Sequence, residues 1–96
     1  RPAGEEQIAS ESFLTAYPNP FDNTTTVVFS IPNNSNTELR VFNALGEQVT
    51  TLFNGMAESG NVYKVAFNAS ELPQGIYLVS IRSNGLNETK RIHLIR

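Results

Sequence analysis

The chain has 96 residues, no Cys, no Trp and a single His, and its 7 basic and 9 acidic residues give a net charge of −2. This length allows one domain, and the lack of Cys excludes a disulfide scaffold, a thiolate nucleophile and a zinc finger. With a pI near 5.3, the chain lacks the excess of basic residues that is typical of nucleic-acid binding proteins. The longest apolar run, residues 76–79, is far shorter than the roughly 20 residues of a membrane span. We therefore expect no nucleic-acid partner and no transmembrane segment.

The first twelve residues are polar, contain Pro2 and Gly4, and offer Ile8 as their only sizeable apolar side chain. Such a segment gains too little from burial to offset its ordering entropy. It also lacks the basic-then-apolar order of a signal peptide. We expect residues 1–12 to be a flexible linker to a protein segment upstream and residues 13–96 to form the folded domain.

From Phe13 onward, short runs rich in Val, Ile, Thr, Phe and Tyr alternate with clusters of Asn, Gly, Pro or Ser, which is the pattern of strands and turns. Helix is not expected, because Gly46 and the β-branched run at residues 49–51 disfavour the best helical candidate. The predicted strands cover residues 13–17, 24–31, 37–43, 48–53, 62–68, 75–83 and 89–96. Seven strands at this spacing predict an all-β antiparallel sandwich.

Alternation within the strands predicts which side chains face the core, since successive strand residues point to opposite faces. The predicted inner rows are Val27, Phe29 and Ile31; Leu39 and Val41; Tyr63, Val65 and Phe67; and Ile92 and Leu94. Residues 76–81 are apolar on both faces, which predicts a central strand that is covered on both sides.

No group of residues has the pattern of a catalytic or metal site. His93 falls on the outward face of the last strand, away from any nucleophile, and the carboxylates are scattered over strand ends and turns. Asp22 with Asn19 and Asn23 offers oxygen ligands for calcium but only one carboxylate, so we interpret these residues as Asx turns. We assign no catalytic, metal-binding or cofactor-binding residue.

Pro73 and Gly75 predict a turn at the start of the sixth predicted strand, because Pro fixes φ and Gly accepts a positive φ. Tyr77 is then expected to face inward and to bond its hydroxyl to nearby backbone, as tyrosines at this corner of a sandwich do.

The C-terminus is basic, since the last seven positions hold Lys90, Arg91 and Arg96. These charges either protect a sheet edge from unwanted pairing or form a readable tag.

Four motifs occur in order between residues 13 and 96. They are Tyr17-Pro18-Asn19-Pro20-Phe21 with Asn23-Thr24-Thr25; Val41-Phe42-Asn43-Ala44-Leu45-Gly46-Glu47-Gln48-Val49; Leu72-Pro73-Gln74-Gly75-Ile76-Tyr77; and Lys90-Arg91-Ile92-His93-Leu94-Ile95-Arg96. No single motif is diagnostic. Their order, spacing and C-terminal placement together resemble the C-terminal sorting domain of the type IX secretion system of Bacteroidetes, in its type A form.

The resemblance implies an immunoglobulin-like β-sandwich that acts as an address for a secreted cargo and not as an enzyme. In this family the domain directs a periplasmic cargo through an outer-membrane translocon. A β-barrel shuttle protein then delivers it to a sortase-like cysteine protease, which removes the domain and releases or anchors the cargo. The implied location is the periplasm in transit and then the outer-membrane surface or the extracellular medium, and no cofactor is implied.

Carried over by position, the family's recognition signal falls on Gly75, Tyr77, Lys90, Arg91 and Arg96. The cleaved bond falls in or before residues 1–12, where nothing in the sequence marks one bond over another.

Two surfaces are candidates for recognition. The first is the last strand, whose unpaired edge would pair with a partner's sheet while its basic side chains fix the register; we favour this one. The second is the outward apolar row of Ile76 and Leu78, with Ile95 beside it.

Two other functions remain open at this point. A fibronectin-like or carbohydrate-binding module of an extracellular enzyme would use exposed aromatic side chains, of which Phe42 is the clearest candidate. A structural spacer would depend on none of the surface charges.

Overall fold

The computed structural model describes residues 12–96. Within this range the chain forms strands and turns and no helix, so the predicted all-β fold is confirmed. The seven strands are β1 (Phe13–Tyr17), β2 (Thr24–Ser30), β3 (Ser35–Asn43), β4 (Gln48–Ala57), β5 (Tyr63–Asn68), β6 (Gly75–Ser83) and β7 (Leu86–Leu94). Apart from Ser12, the predicted linker lies outside the described residues.

The strands form two antiparallel sheets that pack face to face. Sheet A has the order β1-β2-β5, and sheet B has the order β4-β3-β6-β7. This is an immunoglobulin-like arrangement in which the fourth strand has joined the second sheet instead of the first. Strands β4 and β7 are the edges of sheet B.

The core lies between the sheets and is built from the predicted inner rows. Val27, Phe29 and Ile31 are completely buried, as expected when alternate residues of a strand face the opposite sheet. On the edge strand β5, Phe67 is buried whereas Tyr63 and Val65 are half-buried. The other buried side chains of the core cluster are Ala16, Phe21, Leu39, Val41, Ala57, Ala69, Tyr77, Val79, Ile81, Ile92 and Leu94.

Strand β6 is central in its sheet, yet within residues 12–96 only one of its faces is covered by another layer. Tyr77, Val79 and Ile81 are buried in the core, whereas Ile76 and Leu78 on the other face are half-buried. The prediction that β6 is covered on both sides is therefore wrong. The reason is that the described residues form only two layers, so the outer face of sheet B has no layer above it.

The edge strand β4 carries two irregularities that the alternation pattern does not predict. Its pairing with β3 shifts between Leu39 and Arg40 and again between Val41 and Phe42, which leaves Leu52 and Val49 as extra residues. Such bulges bend an edge strand and make it a poorer template for pairing with another chain.

Phe29 is the best single test of the core. It is fully buried, stacks on Tyr63 with ring centroids 5.1 Å apart and meets Phe53 edge-on at 5.4 Å. We expect Phe29→Ala to lower the free energy of unfolding by about 3–5 kcal/mol, through lost burial and the cavity left behind. The matched change Phe13→Ala, at a side chain that is 40% exposed, should cost less than about 1 kcal/mol. Urea unfolding of both variants measures this difference, and equal losses would contradict the assigned core.

Candidate functional site

The four sequence motifs meet at one end of the sandwich. Asn43, the last residue of β3, pairs with Tyr77 near the start of β6. Gly75, the first residue of β6, pairs with Leu94 at the end of β7. Phe21 of the first motif forms a parallel bridge with Leu94. We call this end of the molecule the motif end.

The segment at residues 18–21, here called the edge clasp, closes part of the outer edge of β7. The backbone N–H of Phe21 donates to the carbonyl oxygen of His93 at 3.0 Å, and the carbonyl oxygen of Phe21 accepts from the N–H of Ile95 at 2.8 Å. The Phe21 ring is buried and lies 6.1 Å from the ring of Phe67. Backbone pairing and core packing thus act at the same residue.

The side chain of Asn19 extends the edge clasp by two more hydrogen bonds. Its amide nitrogen donates to the carbonyl oxygen of Arg91 at 3.1 Å, and its Oδ1 accepts from the backbone N–H of His93 at 3.0 Å. Asn19 lies between Pro18 and Pro20, and the peptide bonds preceding both prolines are cis. Through its two hydrogen bonds to β7, the side-chain amide of Asn19 substitutes for one residue of a neighbouring strand. The interpretation of Asn19 as a local Asx turn is wrong.

These contacts change the prediction for the last strand. Strand β7 is an edge strand, as expected, but its outer edge at residues 91–95 is occupied by the edge clasp. The prediction of an unpaired edge is wrong for that half. At residues 87–89 the outer edge has no strand partner among residues 12–96, and a cleft of about 370 Å³ lies there between Phe13 and Thr89.

Gly75 and Tyr77 shape the turn that enters β6. Gly75 has φ +149°, a conformation that side chains disfavour. Tyr77 is 4% exposed, its hydroxyl donates to the carbonyl oxygen of Pro73 at 2.6 Å, and its ring meets Phe67 edge-on at 6.4 Å. The expected tyrosine corner is confirmed.

Arg96 holds the same turn from outside. Its guanidinium donates to the carbonyl oxygens of Ala69 and Leu72, and its backbone N–H donates to the side-chain oxygen of Gln74 at 3.3 Å. A planar guanidinium with several fixed donors is suited to bridging two carbonyl groups. The structure thus brings Arg96 together with Gly75 and Tyr77 at one turn.

Lys90 and Arg91 do not lie on the same face. Lys90 pairs with Val79 and is half-buried with the inward-facing side chains of β7. Arg91 pairs with Leu78 and is exposed on the outer face of sheet B. The basic C-terminal cluster of the sequence is therefore distributed over three environments.

Sequence reasoning missed several residues near this site. Asn19 bonds to residues more than 70 positions away, and no local pattern predicts such a contact. Arg40 and Arg82 share the outward face with Phe42, and alternation would have placed them there. Two further aromatic side chains, Phe13 and Tyr17, are exposed on β1.

The described residues offer binding chemistry and no reactive cluster. No group of three or more His, Asp or Glu residues within 12–96 is placed to hold a metal ion, and His93 is exposed. In the same range no helix is both long and apolar enough to cross a bilayer. What the motif end presents is a fixed backbone shape, exposed cationic side chains and a partly closed strand edge.

Comparison with known proteins agrees with this geometry. The family model for the secretion system C-terminal sorting domain matches residues 15–95. The chain belongs to this family. The match spans all seven strands except the first two residues of β1, and it includes the edge clasp, the turn before β6 and nearly all of the basic last motif. No curated protein matches the chain.

Membership in this family gives the sorting domain its general role. It is a type IX secretion C-terminal sorting domain, and such a domain belongs to a secreted or cell-surface protein. A sorting domain is not itself a catalyst, and it interacts with the secretion machinery.

The edge clasp of the sorting domain can be tested by removing its side-chain hydrogen bonds. We expect Asn19→Ala to lower the free energy of unfolding by about 1–3 kcal/mol, because two backbone groups of β7 lose their partner. Asn19→Asp keeps the acceptor for the His93 N–H but sets a carboxylate oxygen against the carbonyl oxygen of Arg91, so we expect it to stay below the wild-type stability as well. The exposed Asn54 provides a control. Urea unfolding in which Asn19→Ala and Asn54→Ala behave alike would refute the clasp.

The contact of Arg96 with the turn can be tested by a change that keeps the positive charge. In Arg96→Lys a single ammonium replaces the planar fork, and we expect a loss of about 1 kcal/mol of stability. The control is Arg91→Lys, at an exposed guanidinium that has no ion pair within residues 12–96. Thermal unfolding should separate the two variants. If both keep the wild-type midpoint, Arg96 does not hold the turn.

Proposed function

We propose that this sorting domain directs a cargo protein across the outer membrane through the type IX secretion system and is then cleaved from it. The observation that carries the proposal is the family match over residues 15–95, together with the convergence of the four motifs at one end of the fold. If partners recognise the signal as a folded surface, the motifs that form it have to lie close together. The convergence of the four motifs at the motif end meets this requirement.

The candidate signal residues have two different roles in this proposal. Gly75, Tyr77 and Arg96 fix the turn before β6, since their groups are used within the fold. Arg91 presents an exposed charge, and Lys90 is half-buried on the opposite face of β7. The first three residues thus keep the shape of the motif end, while Arg91 supplies a group that a partner contacts.

The proposed partners follow from the family resemblance. They are the outer-membrane translocon, the β-barrel shuttle protein and the sortase-like cysteine protease, in the order in which the cargo meets them. Cleavage in or before residues 1–12, a segment that apart from Ser12 lies outside the described part of the chain, separates the domain from the cargo. The cargo passes through the periplasm and ends at the outer-membrane surface or in the medium.

The proposal predicts that the domain is sufficient for export. When the 96-residue chain is fused behind a periplasm-directed reporter in a bacterium with a type IX system, we expect the reporter at the cell surface or in the medium. The control is the same fusion in a strain without the translocon, where the reporter stays in the periplasm. Periplasmic retention in the competent strain would contradict the proposal.

A second comparison separates signal from stability. Arg91→Glu changes an exposed charge, so we expect export to fall while the unfolding midpoint stays unchanged. Tyr77→Phe removes the bond to Pro73 and should cost about 1 kcal/mol of stability without changing the surface charge. A structural spacer predicts instead that Arg91→Glu leaves export unaltered.

A further inference from the structure

The outer face of sheet B carries a surface of which only Arg91 belongs to the proposed signal residues. The register places Phe42, Leu78 and Arg91 side by side across β3, β6 and β7. Glu38 and Arg82 pair across β3 and β6 further along the same face. Phe42 and Leu78 are half-buried, and no third layer of the described chain lies over them. We call this surface the arginine face.

The charge of the arginine face is mostly positive. Among residues 12–96 it holds Arg40, Arg82 and Arg91 against a single carboxylate, Glu38. Glu38 is already paired with Arg40, at 3.0 Å. Arg82 and Arg91 are exposed and have no ion pair in the described part of the chain. The outer face of sheet A carries one charged residue, Lys64, so the cationic character belongs to sheet B.

A small concavity lies among these arginines. Its volume is about 100 Å³, and it is lined by Glu38, Arg40, Phe42, Ser80, Arg82 and Asn87. The Nε atom of Arg40 is buried and has no hydrogen-bond partner within residues 12–96. A buried donor without a partner is costly, and a guanidinium binds a carboxylate through two parallel hydrogen bonds. The lining holds two guanidinium groups, of Arg40 and Arg82, against one carboxylate, of Glu38, so its net positive charge suits a carboxylate side chain brought in from outside.

The apolar part of the face distinguishes between kinds of anionic partner. Phe42 and Leu78 are half-buried within the sheet and do not project as the side chains of a membrane-inserting surface do. A second copy of the chain would bring a like-charged face. A protein surface with carboxylates beside apolar side chains complements both features, since arginine and aromatic residues dominate binding at protein interfaces.

From these observations we infer that the arginine face is a docking surface for an acidic protein partner in the secretion machinery, whose carboxylate enters the concavity between Arg40 and Arg82. The inference rests on the proposed sorting function in one respect, namely that the acidic partner belongs to the secretion machinery. Four strands of about nine residues present a sheet face of roughly 30 Å by 19 Å. The area of this face is smaller than the roughly 800 Å² that each partner buries in a stable interface. The contact is therefore transient, as a domain in transit requires.

The test uses the purified 96-residue chain and a defined probe. The ¹⁵N-labelled protein is titrated with the peptide Glu-Phe-Glu-Leu-Glu, and the uncharged peptide Gln-Phe-Gln-Leu-Gln is the control. We expect saturable amide shifts confined to residues 38–42, 78–82 and 87–91, and only with the acidic peptide. Arg82→Glu should weaken this binding about tenfold, whereas Lys64→Glu on sheet A should leave it unchanged.

Four binding results would overturn the inference. The first three are the absence of saturable shifts, equal weakening by Lys64→Glu, and Arg82-dependent binding to phosphatidylglycerol vesicles without binding to the acidic peptide, which would identify a lipid surface. Concentration-dependent dimerisation that protects the same amides would also overturn it in favour of a second copy.

The reporter-export assay tests whether the arginine face takes part in sorting. With the reporter fusion, we expect Arg82→Glu to reduce export about tenfold and Lys64→Glu to have little effect. If the wild-type fusion is exported and Arg82→Glu is exported equally, the docking inference fails while the sorting function stands. If the wild-type fusion is retained although the peptide binds as expected, the sorting function fails and the acidic-ligand surface stands.

Discussion

The hydrogen bonds between the edge clasp and β7 are the constraint on which the motif end depends. Phe21 pairs with the backbone on both sides of Leu94, and Asn19 supplies the groups that a neighbouring strand would otherwise provide. An edge strand with free donors and acceptors is a template for unwanted pairing. By occupying that edge with its own chain, the domain fixes the position of β7 and of the turn that Arg96 holds.

This constraint changes how the sequence motifs are understood. The Pro-Asn-Pro-Phe segment, the turn with Gly75 and the terminal Arg96 are far apart in sequence, and each is engaged by another part of the same end. Most of their polar groups are satisfied within the fold. Under the proposed function, partners contact groups that remain exposed, among them the outward side chains of sheet B and the short free edge at residues 87–89.

The strands and the core were predictable because alternation is a local property of the sequence. Val27 and Phe29 face inward for the same reason that Thr26 does not, and Tyr77 could be placed at its corner from the turn before it. The edge clasp was not predictable, because Asn19 has polar neighbours that favour a local turn and its true partners lie on the last strand. Whether the outer face of β6 is open or covered was not predictable, since an apolar run does not reveal how many layers cover it.

The sequence also indicated that the basic residues near the C-terminus form one cluster, and the fold separates them. Lys90 and Arg91 are neighbours in a strand and so point to opposite faces, while Arg96 lies beyond the strand and folds back on the turn. Arg40 and Arg82 join Arg91 on one face although they belong to none of the four motifs. Charge on a β-sandwich is thus organised by sheet face and not by sequence position.

Amide hydrogen exchange in the intact chain tests the central claim most directly, because the outer edge of β7 is divided by the edge clasp. The N–H groups of His93 and Ile95 are bonded to residues 19 and 21, whereas Thr89 points its backbone outward with no strand partner among residues 12–96. The account predicts that the amides of His93 and Ile95 exchange as slowly as those of the core strands and that the amide of Thr89 exchanges rapidly. Equally rapid exchange at all three positions would contradict it, since β7 would then be an open edge along its whole length.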